Sequence, residues 1–276
     1  MNTLRFERDE RVEHVGWLRL DRPDKLNSFT IEMWRELGEL GEELRDDPHL
    51  RALVVIGEGR AFSSGIDTSV FAGAGGGTEE LGAGREPGAR HDDPMVDSIM
   101  KTQDSFTWLD EAPFATIAAV RGYALGAGLQ LALACDVRVM ARGTKVGLLE
   151  FKYGIIPDLG GTQRLPRLVG QGKAKELIFT TQRIDADEAF RVGIAERLVD
   201  DADLERTVGE LAATIAAQPP LAVRAAKRAI AASSELPVRD GLRIEAEGQK
   251  TCLTSDDMKE AIAAFVEQRP PEYHGR

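Results

Sequence analysis

The chain has 276 residues, of which 42% are hydrophobic, 29% charged and 6% aromatic, a composition typical of a globular protein. Its formal net charge of −11 at pH 7 disfavours nucleic acid and anionic membrane surfaces as partners. Two cysteines far apart in sequence argue against a disulfide framework and indicate a reducing, cytoplasmic compartment, and four histidines without ligand spacing predict no metal site.

The first half of the chain alternates predicted strands with helical patterns. Strands are expected at residues 15–20, 52–57, 116–120 and 137–140. Thr30 is a predicted N-cap for an amphipathic helix over residues 31–45. Strands that alternate with helices are typical of an α/β fold around a buried core.

Residues 72–94 are too rich in glycine and too poor in apolar side chains to fold alone. Long loops within compact domains are usually functional or disordered. Two interpretations therefore stay open, a mobile lid over a substrate pocket, which we favour, and a disordered insertion.

The second half of the chain is mostly helical in pattern. Helices are expected near residues 173–181, 186–192, 204–217, 221–232 and 256–267, with one strand at 195–199. A helical tail of this kind packs either on its own domain or on a neighbouring subunit.

Residues 122–136 form a glycine-punctuated turn that leads into an apolar helix. Glycines let backbone N–H groups approach a ligand, and the helix N-terminus adds a partial positive charge, so this is a candidate anion or oxyanion site. The alternative interpretation is close packing of a helix against a strand. Gln130 stands where an acid–base enzyme would carry a carboxylate.

Residues 60–67 form a second turn directly after a predicted buried strand, and Ile66 is its natural N–H donor. An ordinary strand-to-loop turn is the alternative. No dinucleotide fingerprint, P-loop or nucleophile elbow is present in the chain.

Two acidic residues lie beside apolar segments, Glu150 at the end of one and Asp158 in a Pro-Asp-Leu-Gly-Gly turn. Apolar surroundings raise the pKa of a carboxyl, which suits a general base or acid near neutral pH. Solvated or capping roles are the alternatives, and Asp158 has the further option of organising its own turn.

Five segments together resemble, in order and spacing, the crotonase family of enoyl-CoA hydratases and isomerases: residues 22–28, 61–67, 118–128, 154–165 and 264–269. The resemblance implies an α/β fold of ββα turns wound into a superhelix. It also implies a core at residues 1–200 that holds an acyl-CoA site, and a helical C-terminal region at 201–276 that forms homotrimers or dimers of trimers.

The resemblance further implies binding of an acyl-CoA thioester, with no cofactor because coenzyme A is part of the substrate. The thioester oxygen would lie between the N–H groups of Ile66 and Ala127, an oxyanion hole that stabilises an enolate. The positions that match substrate-binding residues of the family are Arg22, Ala61, Ser64, Asp67, Gly126 and Phe265.

Family hydratases use two glutamates, whose positions fall at Gln130 and Glu150 in this chain. An amide holds water but cannot take its proton, so we expect hydration to be weak. Glu150 matches the single glutamate of some enoyl-CoA isomerases, and Asp158 matches a catalytic aspartate of others. The sequence therefore predicts double-bond isomerisation with Glu150, Asp158 and Gln130 as catalytic residues. The alternatives are a weak or specialised hydratase and a non-catalytic acyl-CoA-binding protein.

Overall fold

The computed structural model describes residues 2–70 and 90–276. Within these ranges the main sheet has six strands: β1 (Leu4–Arg8), β2 (Val15–Leu20), β3 (Ala52–Gly57), β4 (Ala115–Val120), β6 (Val137–Ala141) and β9 (Arg197–Val199). The strand order is β1-β2-β3-β4-β6-β9. β1 pairs antiparallel with β2, and the other pairings are parallel.

A small second sheet lies beside the end of β4. Its strands are β5 (Tyr123–Leu125), β7 (Lys145–Gly147) and β8 (Ile184–Asp185), in the order β5-β7-β8. β5 is parallel to β7, and β7 is antiparallel to β8. This sheet fixes the segment that leads from β5 into the following helix.

The helices of the described ranges are α1 (Ile31–Arg45), α2 (Pro94–Glu111), α3 (Ala127–Ala134), α4 (Gly161–Val169), α5 (Gln171–Thr180), α6 (Ala186–Val192), α7 (Leu204–Ala216), α8 (Pro220–Ala232), α9 (Val238–Leu253) and α10 (Asp256–Glu267). None of the helices in residues 2–70 and 90–276 has the length and hydropathy of a membrane-spanning segment.

The main sheet is covered on both faces. Every residue of β3 and β4 is buried, as expected for parallel strands between two layers. Alternate side chains such as Leu53 and Val55 point into the core shared with α1, α2 and α3, whereas Val54 and Ile56 point to the opposite face. That second face is covered by buried residues of α7, including Val208.

The α/β class with a helical C-terminal region was predicted, and several element bounds agree with the structure. The predicted bounds of β2, β3, α1, α6 and α10 match the observed ones, and the hydroxyl of Thr30 accepts a hydrogen bond from the N–H of Met33. The sequence interpretation did not identify β1, α2, α4 or α9, nor the three short strands of the second sheet.

Two sequence predictions concern the organisation of the chain. The predicted lid lies mostly outside the described residues, and its last residues lead into α2, where Asp93 caps the N-terminus. The division at residue 200 stays a prediction. In the structure α7 contributes to the core, whereas no residue of α8 or α9 is fully buried.

Candidate active site

Two turns that are far apart in sequence lie side by side at the end of the main sheet. The N–H of Ser63 donates to the carbonyl of Tyr123 at 2.9 Å, and the N–H of Leu125 donates to the carbonyl of Ser63 at 3.0 Å. A Cβ added to Gly65 would lie 2.8 Å from the carbonyl oxygen of Leu125. The glycine therefore permits the close approach of the two turns.

Ile66 and Ala127 each carry an N–H that donates to no acceptor within the described part of the chain. The N–H of Phe29 donates to the carbonyl of Gly65, and the carbonyl of Phe29 accepts from the N–H of Asp67. In this parallel pairing the N–H and carbonyl of Ile66 therefore face away from Phe29. Ala127 is the first residue of α3, where N–H groups have no intrahelical partner and the helix dipole adds positive charge. Both groups have the character that an oxyanion hole requires, and that role stays a prediction.

Gly126 precedes α3 and has φ +50° and ψ −122°, a conformation that is strained for any residue with a side chain. An added Cβ there would also lie 3.2 Å from Oε1 of Glu150. At Gly128, two residues further along, an added Cβ would lie 2.6 Å from the carbonyl oxygen of Ser63. The glycines thus fit both interpretations of this segment, because they let α3 pack closely and leave no side chain over the backbone at its N-terminus.

Glu150 and Gln130, twenty residues apart, form a buried hydrogen-bonded pair. Their exposed fractions are 5% and 1%. Nε2 of Gln130 donates to Oε1 of Glu150 at 2.8 Å, and Oε1 of Gln130 accepts from the N–H of Gly161 at 2.9 Å. The other carboxylate oxygen, Oε2 of Glu150, is buried and has no hydrogen-bond partner among the described residues.

Burial raises the pKa of the Glu150 carboxyl, and the neighbouring Asp158 raises it further. The hydrogen bond from Gln130 acts in the opposite direction because it stabilises the ionised form. The pKa of Asp158 is also raised by burial, although its side chain is only partly covered. The site therefore holds two carboxyl groups whose pKa values are both raised, in the direction that suits general acid–base catalysis near neutral pH.

Arg22 and Asp67, both predicted to contact substrate, bind each other. Nη2 of Arg22 lies 3.0 Å from Oδ2 of Asp67, and Ser28 donates to the same oxygen at 3.2 Å. Hydrogen bonds from the backbone and hydroxyl of Ser69, together with Arg22, hold the pKa of Asp67 well below its ordinary value. This clamp fixes the turn that carries Ile66, and direct substrate contacts by the pair stay a prediction.

The remaining predicted contacts occupy different surroundings. Ala61 is fully buried, and its carbonyl accepts from Nδ2 of Asn27 at 2.8 Å. Ser64 lies in the turn of residues 60–67, and its N–H donates to the carbonyl of Leu26. Phe265 lies on α10 and is 85% exposed, so no described part of this chain covers its ring.

The sequence interpretation missed Gly161 and Gln103. Gly161 begins α4, and a Cβ there would lie 2.9 Å from Oε1 of Gln130, so only glycine lets its N–H reach the amide without displacing it. Gln103 on α2 donates to the carbonyl of Asp158 at 2.7 Å and supports that turn. The Gly160-Gly161 pair was visible in the sequence, but the hydrogen bond between Gly161 and Gln130 was not.

Residues 10–276 match the family model described as enoyl-CoA hydratase/isomerase. The short-chain-enoyl-CoA hydratase of Clostridium acetobutylicum is 34% identical over 275 residues, which cover 99% of this chain and 97% of that protein. The crystal structure of an enoyl-CoA hydratase from Bacillus anthracis has a TM-score of 0.88 at 34% identity and covers 99% of this chain and all of that one. A Thermobifida fusca protein solved in complex with acetoacetyl-CoA has a TM-score of 0.77 at 36% identity, with 91% and 94% coverage.

Proposed function

Because the chain belongs to the enoyl-CoA hydratase/isomerase family, we propose that it binds an enoyl-CoA thioester and moves its double bond by proton transfer. One observation carries the proposal most directly. Glu150 is buried with one oxygen unpartnered, close to a helix N-terminus with a free N–H at Ala127. This arrangement joins a base to a donor for the charge that its action creates.

In the proposed reaction the thioester oxygen accepts hydrogen bonds from the N–H groups of Ile66 and Ala127. The carboxylate of Glu150 takes a proton from C2 of a 3-enoyl-CoA, and the electron pair of that C–H bond delocalises into a dienolate. Protonation at C4 then gives the conjugated 2-enoyl-CoA. Either Glu150 returns the proton or Asp158 delivers one, since the raised pKa of each carboxyl allows it to hold a proton nearer to neutral pH.

The residue at position 130 favours isomerisation over hydration. Gln130 uses its oxygen for Gly161 and one N–H for Glu150, and an amide has no basic group that takes the proton of a water. Isomerisation needs one base that gives and receives a proton, whereas hydration also needs activation of water. The proposed reaction therefore matches the groups present.

Hydration of a 2-enoyl-CoA is the second candidate function. The Clostridium acetobutylicum relative is named a short-chain-enoyl-CoA hydratase, and Glu150 with Asp158 supplies two carboxyl groups near one another. A non-catalytic acyl-CoA-binding protein is a third candidate, which the buried and unpartnered oxygen of Glu150 disfavours. No cofactor is needed for either reaction, because coenzyme A enters with the substrate.

We further propose that the chain forms homotrimers or dimers of trimers through its C-terminal helices. No residue of α8 or α9 is fully buried, and large apolar residues on α8–α10 are exposed: Ile230, Val238, Leu242, Leu253, Ile262, Phe265 and Val266. An apolar surface of this kind is typical of a protein–protein interface.

The test is a spectroscopic assay of 3-enoyl-CoA and 2-enoyl-CoA substrates of several chain lengths without added cofactor. We expect 3-enoyl-CoA to give the conjugated thioester. In Glu150→Gln the rate of this reaction should fall by about 10²-fold or more. Gln130→Glu is expected to add hydration of crotonyl-CoA. Hydration without isomerisation by the unaltered protein would assign the hydratase function. Binding of CoA by the unaltered protein without either reaction would assign the non-catalytic function.

A further inference from the structure

The orientation of the Gln130 amide is determined by its two neighbours. The N–H of Gly161 can only donate, so the group that faces it at 2.9 Å must be the amide oxygen. The NH₂ group then faces Glu150, whose Oε1 lies 2.8 Å from Nε2. Because the amide is 99% buried, bulk water does not compete for these two bonds.

This chain of hydrogen bonds distinguishes the two oxygens of Glu150. Oε1 accepts from Gln130 and lies on the side of Gly126, where an added Cβ would be 3.2 Å away. Oε2 is buried and has no hydrogen-bond partner within the described residues. A buried carboxylate oxygen without a partner is costly, and at an active site a substrate group supplies the missing contact.

We infer that Gln130 is a positioning residue, which holds Glu150 by Oε1 and so makes Oε2 the atom that exchanges the substrate proton. The inference rests on the proposed function in one respect, the assignment of Glu150 as the base. Gly161 has a part in the same arrangement, because it fixes the amide and leaves the space that Oε1 of Gln130 occupies.

Two variants of Gln130 separate the functions of its two ends. Gln130→Met removes both hydrogen bonds while keeping a side chain of similar length. Gln130→Glu keeps an oxygen for Gly161 but replaces the donor to Glu150 with a second carboxyl group. The matched controls are Gln171→Met and Gln171→Glu, at an exposed position at the start of α5.

The primary measurement is the exchange of the C2 protons of butyryl-CoA in deuterated water across pH 5–9. This saturated thioester has no double bond to move or hydrate, so exchange reports on proton transfer at C2 without isomerisation or hydration. We expect the acidic limb of the profile to move to higher pH in Gln130→Met, and further in Gln130→Glu, where like charges interact. The plateau rate is expected to fall by about 10-fold or more at unchanged KM, while both Gln171 variants follow the unaltered protein.

A second measurement needs no turnover. The infrared carboxyl band that disappears in Glu150→Gln is titrated in the unaltered protein and in both Gln130 variants, with thermal unfolding used to verify that each variant is folded. A titration shifted to higher pH supports the positioning function even if no enoyl-CoA is converted. Absence of conversion would overturn only the proposed reaction. A titration and an exchange profile that coincide with those of the unaltered protein would overturn the inference, even if isomerisation is observed.

Discussion

Glu150 combines its proposed catalytic role with a cost to folding. Its carboxyl is buried, so its pKa is raised above the ordinary value of 4.5. At low pH the group is neutral in both folded and unfolded chains. As the pH rises the unfolded chain ionises first, and the folded state loses stability until the pH passes the raised pKa.

We therefore predict that Glu150→Gln stabilises the protein while it removes activity. The gain should be on the order of 1 kcal/mol at pH 8 and close to zero at pH 4.5, since only the ionised form carries the penalty. Thermal unfolding at both values measures it, and Glu235→Gln, at an exposed position, is the control. An equal change at both pH values would contradict this account of the carboxyl.

Gly126 allows a separate prediction for the turn. Gly126→Ala places a Cβ in a strained conformation and 3.2 Å from Oε1 of Glu150, next to the N–H of Ala127. We expect a stability loss of about 1–3 kcal/mol and a fall in kcat of about 10²-fold. Gly143→Ala is the matched control, because Gly143 also has positive φ but no atom within 4 Å of an added Cβ. Its loss should be confined to stability, and an equal loss of kcat in both variants would contradict the assignment of the turn.

At the scale of elements, α8 is joined to the core by polar contacts. Nζ of Lys227 lies 2.9 Å from Oδ2 of Asp136 and donates to the carbonyls of Leu109 and Phe114 at 2.9 and 3.0 Å. Burial raises the pKa of Asp136, and Lys227 is the main group that opposes this shift. The C-terminal helices are thus held by a charge pair with a specific geometry.

Lys227→Met should destabilise the protein by about 3 kcal/mol at pH 7.5, because the carboxylate of Asp136 is left buried without its cation. The loss should shrink as the pH falls and Asp136 takes up a proton in the folded state. Urea unfolding at pH 7.5 and 5 measures both effects. Lys250→Met, at an exposed position on α9, should change stability by less than about 0.5 kcal/mol, and a similar loss in both variants would contradict the anchoring function.

The elements that the sequence predicted are those with strong local signals. α1 combines helical periodicity with an N-cap at Thr30, and β3 is a continuous apolar run. The strands of the second sheet are two or three residues long and exist because they pair with one another across the chain. α2 begins where the predicted loop of residues 72–94 ends, and the sequence interpretation expected no helix there.

The site was predictable in its residue types and not in its pairings. Spacing in the family motifs identified Gln130, Glu150 and Asp158 as candidates. Their hydrogen bonds depend on tertiary contacts, such as the N–H of Gly161 on a separate helix. For the same reason the sequence did not reveal that Arg22, a predicted substrate contact, pairs with Asp67.

At the scale of the whole molecule, the exposed apolar side chains of α8–α10 contrast with a net charge of −11. Charge of one sign favours separate chains, so self-association must depend on the apolar helices. We predict a particle of three or six copies of the 30.1 kDa chain in analytical ultracentrifugation. Ile230→Glu on α8 should shift the distribution to smaller species, whereas Lys175→Glu on α5 should not, and a monomer at micromolar concentration would contradict the prediction.

The most direct test of the account is product analysis of a 3-enoyl-CoA in deuterated water. We predict conjugated 2-enoyl-CoA without added oxygen, formed by the unaltered protein and lost in Glu150→Gln. Deuterium enters C4 only to the extent that the proton on the carboxyl exchanges with solvent before it is delivered. A 3-hydroxyacyl-CoA as the main product would contradict the account, because it would show that the site activates water despite the amide at position 130.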